Sequence, residues 1–265
     1  MTELSSEALS EKMDGGAPGH ASATVGLIES TKARRTSFLF LGLLAVCLVG
    51  WHFFPESLDR GVFQALNATL AERPGLQTLA AFSNTRIFDS LAGLVLAAYF
   101  LLPGLAFPSG YRRYAILGFV PAALVFQPWR MFVGWLSGEK PSPGRVFWND
   151  MIRLDEINAA AKVASDHSFP SDHTAVLLVW ATYIVVAGRC PLRWSAWLVA
   201  FLLSLPRLIG GGHWVSDVLI GSPLVAIPPL IVLFYFDLPD RFLRYLKKRV
   251  PKRWLPPGGN EDIRR

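Results

Sequence analysis

Residues Ser37–Phe54 read SFLFLGLLAVCLVGWHFF, an apolar run that contains no Asp, Glu, Lys or Arg. Wound as a helix, this run is close to the length that crosses the hydrocarbon core of a bilayer. Five more apolar blocks follow, at about Ile87–Phe107, Tyr114–Leu136, His173–Gly188, Trp194–Leu208 and Val218–Phe236. With 52% hydrophobic and 17% charged residues, the chain is not an ordinary soluble domain. The sequence predicts an all-α fold, a six-span transmembrane helical bundle.

The charge distribution sets the predicted topology. The net charge is +6, but the basic residues lie in the tails and in the short connections between apolar blocks, as in loops retained in the cytoplasm. We therefore predict a membrane partner and no nucleic-acid partner, with both termini inside. Residues 1–36 are interpreted as a disordered cytoplasmic tail, residues 37–236 as the six-span domain, and residues 237–265 as a basic cytoplasmic tail.

Two connections between the blocks have a character of their own. The segment 55–86 carries Leu58, Val62, Leu66 and Leu70 at four-residue spacing, which fits either an interfacial amphipathic helix or a buried helix of soluble type. The segment Ser137–Asp172 is the longest polar stretch between blocks, and the topology places it outside as a long outer loop. Long loops in compact proteins tend to carry function.

Two polar constellations fall at the same predicted outer level. One is Ser168-Phe-Pro-Ser-Asp-His-Thr174, before the fourth block, and the other is Arg207 with His213 and Asp217, around the start of the sixth. Ionisable groups near membrane depth are costly unless they serve a site, so both indicate function. His213 and Asp217 are four residues apart, which places them on one helical face. The carboxylate can hold one ring nitrogen and leave the other free to attack.

These residue types suit phosphoryl transfer. Attack by His213 on phosphorus would give a phosphohistidine, and His173 could protonate the departing alkoxide. Arg207 offers a planar fork of donors for two phosphate oxygens, and Ser171 supplies a hydroxyl at a predicted helix N-cap. Such a site works mainly by positioning and by electrostatic complementarity.

The same residues resemble the type-2 phosphatidic acid phosphatase family, whose second and third signatures read PSGH and SRxxxxxHxxxD. Here they stand as Pro170-Ser171-Asp172-His173 and as Pro206-Arg207, five residues, His213, three residues, Asp217. Asp172 replaces the usual Gly, as in members that resemble undecaprenyl pyrophosphate phosphatases. Pro206 replaces the usual Ser and leaves Arg207 in register.

This resemblance implies a membrane lipid phosphatase without a metal or another cofactor. It implies His213 as nucleophile, Asp217 as its orienting partner, His173 as leaving-group acid, and Ser171 and Arg207 as phosphate ligands.

The first family signature, KxxxxxxRP, is not reproduced in this sequence. Our interpretation takes Arg130, at the outer end of the third span, for the first cation and Lys140 for the second. Arg145 is a substitute. These three residues complete the predicted phosphate-binding set.

The expected function is hydrolysis of a lipid phosphate or pyrophosphate, of the undecaprenyl pyrophosphate, phosphatidic acid or phosphatidylglycerophosphate type. The expected location is the outer face of a bacterial inner membrane. Four alternatives stay open at this point. They are a phosphotransferase that uses another lipid such as lipid A as acceptor, a non-catalytic transport or assembly protein, a metal site built from His167, Asp172, His173 and His213, and a serine hydrolase triad that includes Ser171.

Overall fold

The computed structural model describes residue 28 and residues 30–249. The predicted N-terminal tail therefore lies outside the described residues up to residue 27 and at residue 29. The predicted C-terminal tail lies outside them from residue 250 to 265. In the described part the chain forms α-helices and no β-strand, which confirms the all-α fold. The helices are α1 Ser30–Phe53, α2 Glu56–Ala68, α3 Pro74–Ser83, α4 Arg86–Leu101, α5 Arg112–Ser137, α6 Pro143–Val146, α7 Asp172–Ala187, α8 Ser195–Ile209, α9 Ser222–Tyr235 and α10 Leu238–Arg249.

Four helical stretches in the described residues are long and apolar enough to cross a membrane. They are Thr31–Phe53, Ser109–Ser137, Pro191–Ile209 and Asp217–Tyr235. The helices α4 and α7, at the second and fourth predicted spans, have only 16 residues each. A helix of that length rises about 24 Å, less than the hydrocarbon thickness of about 30 Å. The six-span count therefore stays a prediction, with four spans supported by length and composition.

The centre of the bundle is α7. Most of its residues are buried, and it packs against α5, α8 and α9, while α1 packs on the outer side of α9. A helix that is apolar all round belongs in the interior of a helix bundle. The opposite case is α1, whose Phe38, Leu39 and Phe53 stay exposed. This apolar exposure fits a lipid-facing helix.

Two short helices, α2 and α3, occupy the segment 55–86, for which the sequence predicted an amphipathic helix. The buried residues of α2 are Asp59, Phe63 and Asn67. Of the predicted apolar row, Leu58 is 48% exposed and Val62 and Leu66 are half-buried, whereas Leu70, just after α2, is fully buried. Asn67 explains this choice, because its amide oxygen accepts from Ile152 N at 2.8 Å and its amide nitrogen donates to Ile152 O at 3.3 Å. Asn67 therefore ties the buried face of α2 to the segment Ser137–Asp172, which we call the outer loop after its predicted location.

The helical boundaries correct the predicted tails. The first helix begins at Ser30, before the predicted start at Ser37, so residues 30–36 are helical and not disordered. The basic tail contains α10, whose Leu243 is buried against the bundle. Both segments are held by long-range bonds, since Lys32 Nζ donates to Val186 O at 2.9 Å and Ile28 N donates to Asp240 Oδ2 at 3.3 Å.

The outer loop is fastened to the turn at the end of α8. Gly144 N donates to Gly211 O at 2.8 Å, and a Cβ built at Gly144 would lie 1.8 Å from Val163 O. Only glycine fits this approach of two backbones. Gly211 has a φ of +80°, a conformation that glycine adopts readily. Two glycines thus bring the outer loop next to His213.

Candidate active site

His213 follows the glycine turn and is oriented by the backbone. Its Nδ1 lies 2.6 Å from the carbonyl oxygen of Ser168, which can only accept a hydrogen bond. Nδ1 therefore carries the proton, and in the neutral ring Nε2 carries the free lone pair. This is the tautomer that a nucleophilic histidine needs.

Asp217 lies beside this ring but is not its hydrogen-bond acceptor. Its Oδ2 lies 3.9 Å from His213 Nδ1 and accepts instead from Trp214 N at 2.8 Å. The other oxygen, Oδ1, accepts from Lys140 Nζ at 2.7 Å. Asp217 is fully buried, so it supplies a fixed negative charge near His213. The orienting partner expected from the sequence is thus a nearby charge, while the Ser168 carbonyl, which no side-chain pattern indicates, makes the bond.

Burial holds the pKa of His213 below its ordinary value, since a desolvated ring resists protonation. Arg207 acts in the same direction, whereas the charge of Asp217 and the bond to Ser168 oppose the shift. The lowered pKa keeps the ring neutral at neutral pH.

His173 stands in the first turn of α7, close enough to His213 and Arg207 for their charges to act on it. Its Nε2 lies 3.2 Å from Leu203 O, so Nε2 donates and Nδ1 faces the carboxylate of Asp89 at 3.9 Å. A proton taken up by His173 therefore resides on Nδ1. The structure brings together His173, His213 and Arg207, which come from three separate segments of the sequence.

Arg207 lies in the last turn of α8, and its side chain is 8% exposed. Its NH2 group bonds Asp89 Oδ1 at 2.6 Å, and its NH1 group donates to Asn84 O at 3.4 Å. Lys162 Nζ lies 3.4 Å from the other oxygen of Asp89. Sequence reasoning missed Asp89 and Lys162. A signal for Asp89 existed, because it is an acidic residue inside a predicted span.

Ser171 is the N-cap residue of α7 and is fully buried. Its hydroxyl donates to Thr174 Oγ1 at 3.2 Å, and its carbonyl accepts from Ser222 Oγ at 2.9 Å. The Ser171 N–H lies 3.4 Å from Asp217 O. These bonds tie the start of α7 to the segment that follows His213, so the two signature regions are held together.

The three candidate cations for the first signature are each paired with a carboxylate. Arg130 forms a salt bridge with Asp172. Arg145 pairs with Asp166 at 3.2 Å, and both side chains are more than 60% exposed. Lys140 bonds Asp217, and its ammonium group stands 5.5 Å from the ring centroid of Trp51. A cavity of about 320 Å³ opens on the Lys140 side and is bordered by Trp51, Asp59, Arg60 and Trp214.

The residues considered for a metal site do not form one cluster. Within residues 30–249 and residue 28, no group of three or more His, Cys, Asp or Glu side chains is arranged to hold a metal ion. His167, one of the four candidates, has its Nδ1 3.4 Å from Gly138 O.

Comparison of the sequence with known proteins shows the family of the chain. The PAP2 superfamily matches residues 91–236. Over 210 residues the chain is 27% identical to the lipid A 1-diphosphate synthase of Escherichia coli (strain K12), an alignment that covers 76% of this chain and 85% of that protein. No solved structure matches the chain. Because the family match covers more than half of the sequence, the chain belongs to the PAP2 superfamily, and the predicted family is confirmed.

Proposed function

Because the chain is a membrane protein of the PAP2 superfamily, we propose that it is a lipid phosphate or pyrophosphate phosphatase that works through a phosphohistidine on His213. The observation that carries this proposal is the 2.6 Å bond from His213 Nδ1 to Ser168 O, which frees Nε2 for attack. We further propose that the site faces the outside of a bacterial inner membrane, as the charge bias of the connections predicts.

In the first step, Nε2 of His213 attacks phosphorus and the bond from phosphorus to the leaving oxygen breaks. His173 donates its Nδ1 proton to that oxygen, so the lipid product leaves as an alcohol or a monophosphate. Arg207 and the N-terminus of α7 around Ser171 bind the non-bridging oxygens. In the second step, water attacks the phosphorus of the phosphohistidine and the bond from phosphorus to Nε2 of His213 breaks. His173 takes up a proton from this water, and inorganic phosphate leaves.

A second candidate function differs only in the second step. The relative in Escherichia coli is named for the synthesis of a lipid diphosphate, so a lipid phosphate is a reasonable acceptor in place of water. The first half-reaction, with His213 as nucleophile, is the same for both candidates. The acceptor decides between a phosphatase and a lipid phosphotransferase.

The test is a labelling experiment on the purified chain in bilayer nanodiscs. Polyprenyl pyrophosphate, phosphatidic acid and phosphatidylglycerophosphate, each labelled with ³²P in its terminal phosphate, are supplied with and without lipid A as acceptor. We expect a label on His213 that is stable to alkali and lost in acid, and its absence in His213→Asn. Labelled inorganic phosphate indicates hydrolysis, and labelled lipid A indicates transfer.

Control measurements distinguish the proposed mechanism from the alternatives. The exposed Lys248, on the predicted cytoplasmic side, is changed to Gln as a matched surface variant that retains full activity. If wild type and His213→Asn release phosphate equally, the proposed mechanism is wrong. A chain that binds phosphate but never releases it from a lipid supports a transport or assembly role. Activity that excess chelator removes and added divalent metal restores contradicts the metal-independent mechanism.

A further inference from the structure

The carboxylate of Asp89 lies where three phosphate-directed groups converge. Arg207 NH2 is 2.6 Å from Oδ1, Lys162 Nζ is 3.4 Å from Oδ2, and His173 Nδ1 is 3.9 Å from Oδ1. These groups come from α8, the outer loop and α7, whereas Asp89 belongs to the first turn of α4. Two cations and one protonatable ring, from three segments that are distant in the sequence, thus lie close to the carboxylate of Asp89.

This arrangement resembles a phosphate-binding site in which a carboxylate of the protein, that of Asp89, takes the place of the phosphate. Arg207 and His173 are the groups that the proposed reaction assigns to phosphate binding and to leaving-group protonation. A carboxylate presents two oxygens with a shared negative charge, as two non-bridging oxygens of a phosphate do. Two cations on separate oxygens of Asp89 are therefore arranged as they would be on phosphate.

Burial explains why an internal anion is needed. The guanidinium of Arg207 is 8% exposed, and a cation so far from water is unstable without a charged partner. Asp89 supplies that partner. The side chain of Asp89 is 31% exposed, so an incoming phosphate can reach the same two cations.

We propose that Asp89 is an internal substitute for phosphate, which holds Arg207 and Lys162 before substrate binds and competes with the substrate for them. Lys162 is then a phosphate-binding cation beside Arg207, in the role for which the sequence had suggested Arg130, Lys140 and Arg145. This inference rests on the proposed function. It goes beyond the family match, since Asp89 lies outside residues 91–236.

The charges give the direction of each effect. Asp89, Arg207 and Lys162 together carry one net positive charge, and a phosphate dianion is repelled by Asp89 while it is drawn to the two cations. Asp89→Asn removes the competing anion and leaves both cations to the phosphate. The variant should bind phosphate more tightly, because charge-assisted bonds to both cations become available without exchange. Tighter ground-state binding does not raise kcat, and slower product release lowers it.

The experiment measures inorganic phosphate in two ways. The first is its inhibition constant against lipid phosphate hydrolysis, and the second is equilibrium binding of ³²P-phosphate in the His213→Asn background, which needs no turnover. We expect Asp89→Asn to tighten both constants about tenfold and Lys162→Gln to weaken both about tenfold. Asp89→Glu, which keeps the anion, should stay near wild type. Glu156→Gln and Lys248→Gln make the same charge changes at exposed positions and should alter neither constant.

Each result decides the proposal. If Asp89→Asn is folded and its phosphate affinity is unchanged or weaker, Asp89 is a structural counterion and the inference is wrong. If Asp89→Asn does not fold, Lys162→Gln decides alone, because its side chain is 46% exposed and its loss does not leave a buried charge. An unchanged affinity in Lys162→Gln overturns the role of Lys162. Failure of the proposed function looks different, since wild type would then release no phosphate from any lipid and form no labelled His213.

Discussion

The two histidines of the site lie in unlike surroundings. We call Ser168, Lys140, Asp217 and the His213 ring the nucleophile side, and Asp89, Lys162, Arg207 and the His173 ring the cation side. On the nucleophile side a backbone carbonyl fixes the ring, and Asp217 has its charge met by Lys140 and by Trp214 N. On the cation side the partly exposed carboxylate of Asp89 lies within 4 Å of Arg207, Lys162 and His173.

The two sides therefore differ in what must change when a substrate binds. The nucleophile side is complete without phosphate, because its hydrogen bonds are made within the protein. The cation side has its charges satisfied by a group that phosphate must displace. Changes on the nucleophile side should therefore affect the chemical step, and changes on the cation side should affect affinity.

The largest expected effect contrasts the two histidines. His213→Asn should lower kcat by about 10⁴-fold or more, because the side-chain amide of Asn has no nucleophilic nitrogen to replace Nε2. His173→Asn should lower it by about 10² to 10⁴-fold with an alkyl leaving group. An aryl phosphate needs little protonation of its leaving group, so it should restore phosphorylation of His213 in His173→Asn only. Single-turnover labelling measures both, and an equal response of the two variants would contradict their different roles.

The next effect concerns the contact that brings the outer loop to His213. In Gly144→Ala the new Cβ meets Val163 O, a backbone atom that cannot turn away. We expect a destabilisation of about 1–3 kcal/mol and a fall in kcat of about tenfold or more, since displaced loops misplace catalytic groups. Thermal unfolding and steady-state rates measure these changes. Gly75→Ala is the matched control, because open space surrounds its Cβ position, and an equal loss there would remove the explanation.

A smaller effect tests the charge balance on the nucleophile side. In the folded protein the lowered pKa of His213 keeps the ring neutral, and the reaction loses rate as pH falls through that pKa. Lys140→Gln removes the partner of Asp217, so the full negative charge then acts on His213 and raises its pKa. The acid limb of kcat/KM against pH should move to higher pH, with a loss of about threefold at neutral pH.

The comparison for Lys140→Gln is Lys248→Gln, whose pH profile should coincide with that of wild type. An acid limb that stays in place or moves to lower pH would show that Lys140 does not balance Asp217. If Lys140 instead binds phosphate, as the sequence suggested, the inhibition constant of inorganic phosphate rises while the acid limb is unchanged.

The smallest effect is expected at Arg145. Its pair with Asp166 is exposed, and exposed pairs contribute about 0–1 kcal/mol. Arg145→Gln should change the free energy of unfolding by less than about 0.5 kcal/mol and kcat/KM by less than about twofold. A tenfold rise in KM would instead support Arg145 as the phosphate ligand that the sequence suggested. Urea titration and substrate titration distinguish these results.

Local features of the chain allowed correct predictions. The apolar blocks predicted helices because hydropathy acts on each segment separately, and the observed helices α5, α8 and α9 correspond to predicted spans. Spacing also predicted that Asp217 would lie near His213, since both belong to one short segment. The predicted common helical face is wrong, because His213 lies in a bend before the helical turn that begins at Val215. The signatures around His173 and Arg207 predicted the family, and the family match confirms it.

Contacts between distant segments required the tertiary structure. Asp89 is 118 residues from Arg207, and Ser168 is 45 residues from His213, so no spacing in the sequence relates either pair. The buried face of α2 was also unpredictable, because Asn67 is buried by its bonds to the outer loop rather than by hydropathy. The sequence by itself predicted which groups carry the chemistry. Tertiary packing decided which backbone carbonyl orients His213 and which carboxylate holds Arg207, because burial and hydrogen-bond geometry arise only when separate helices meet.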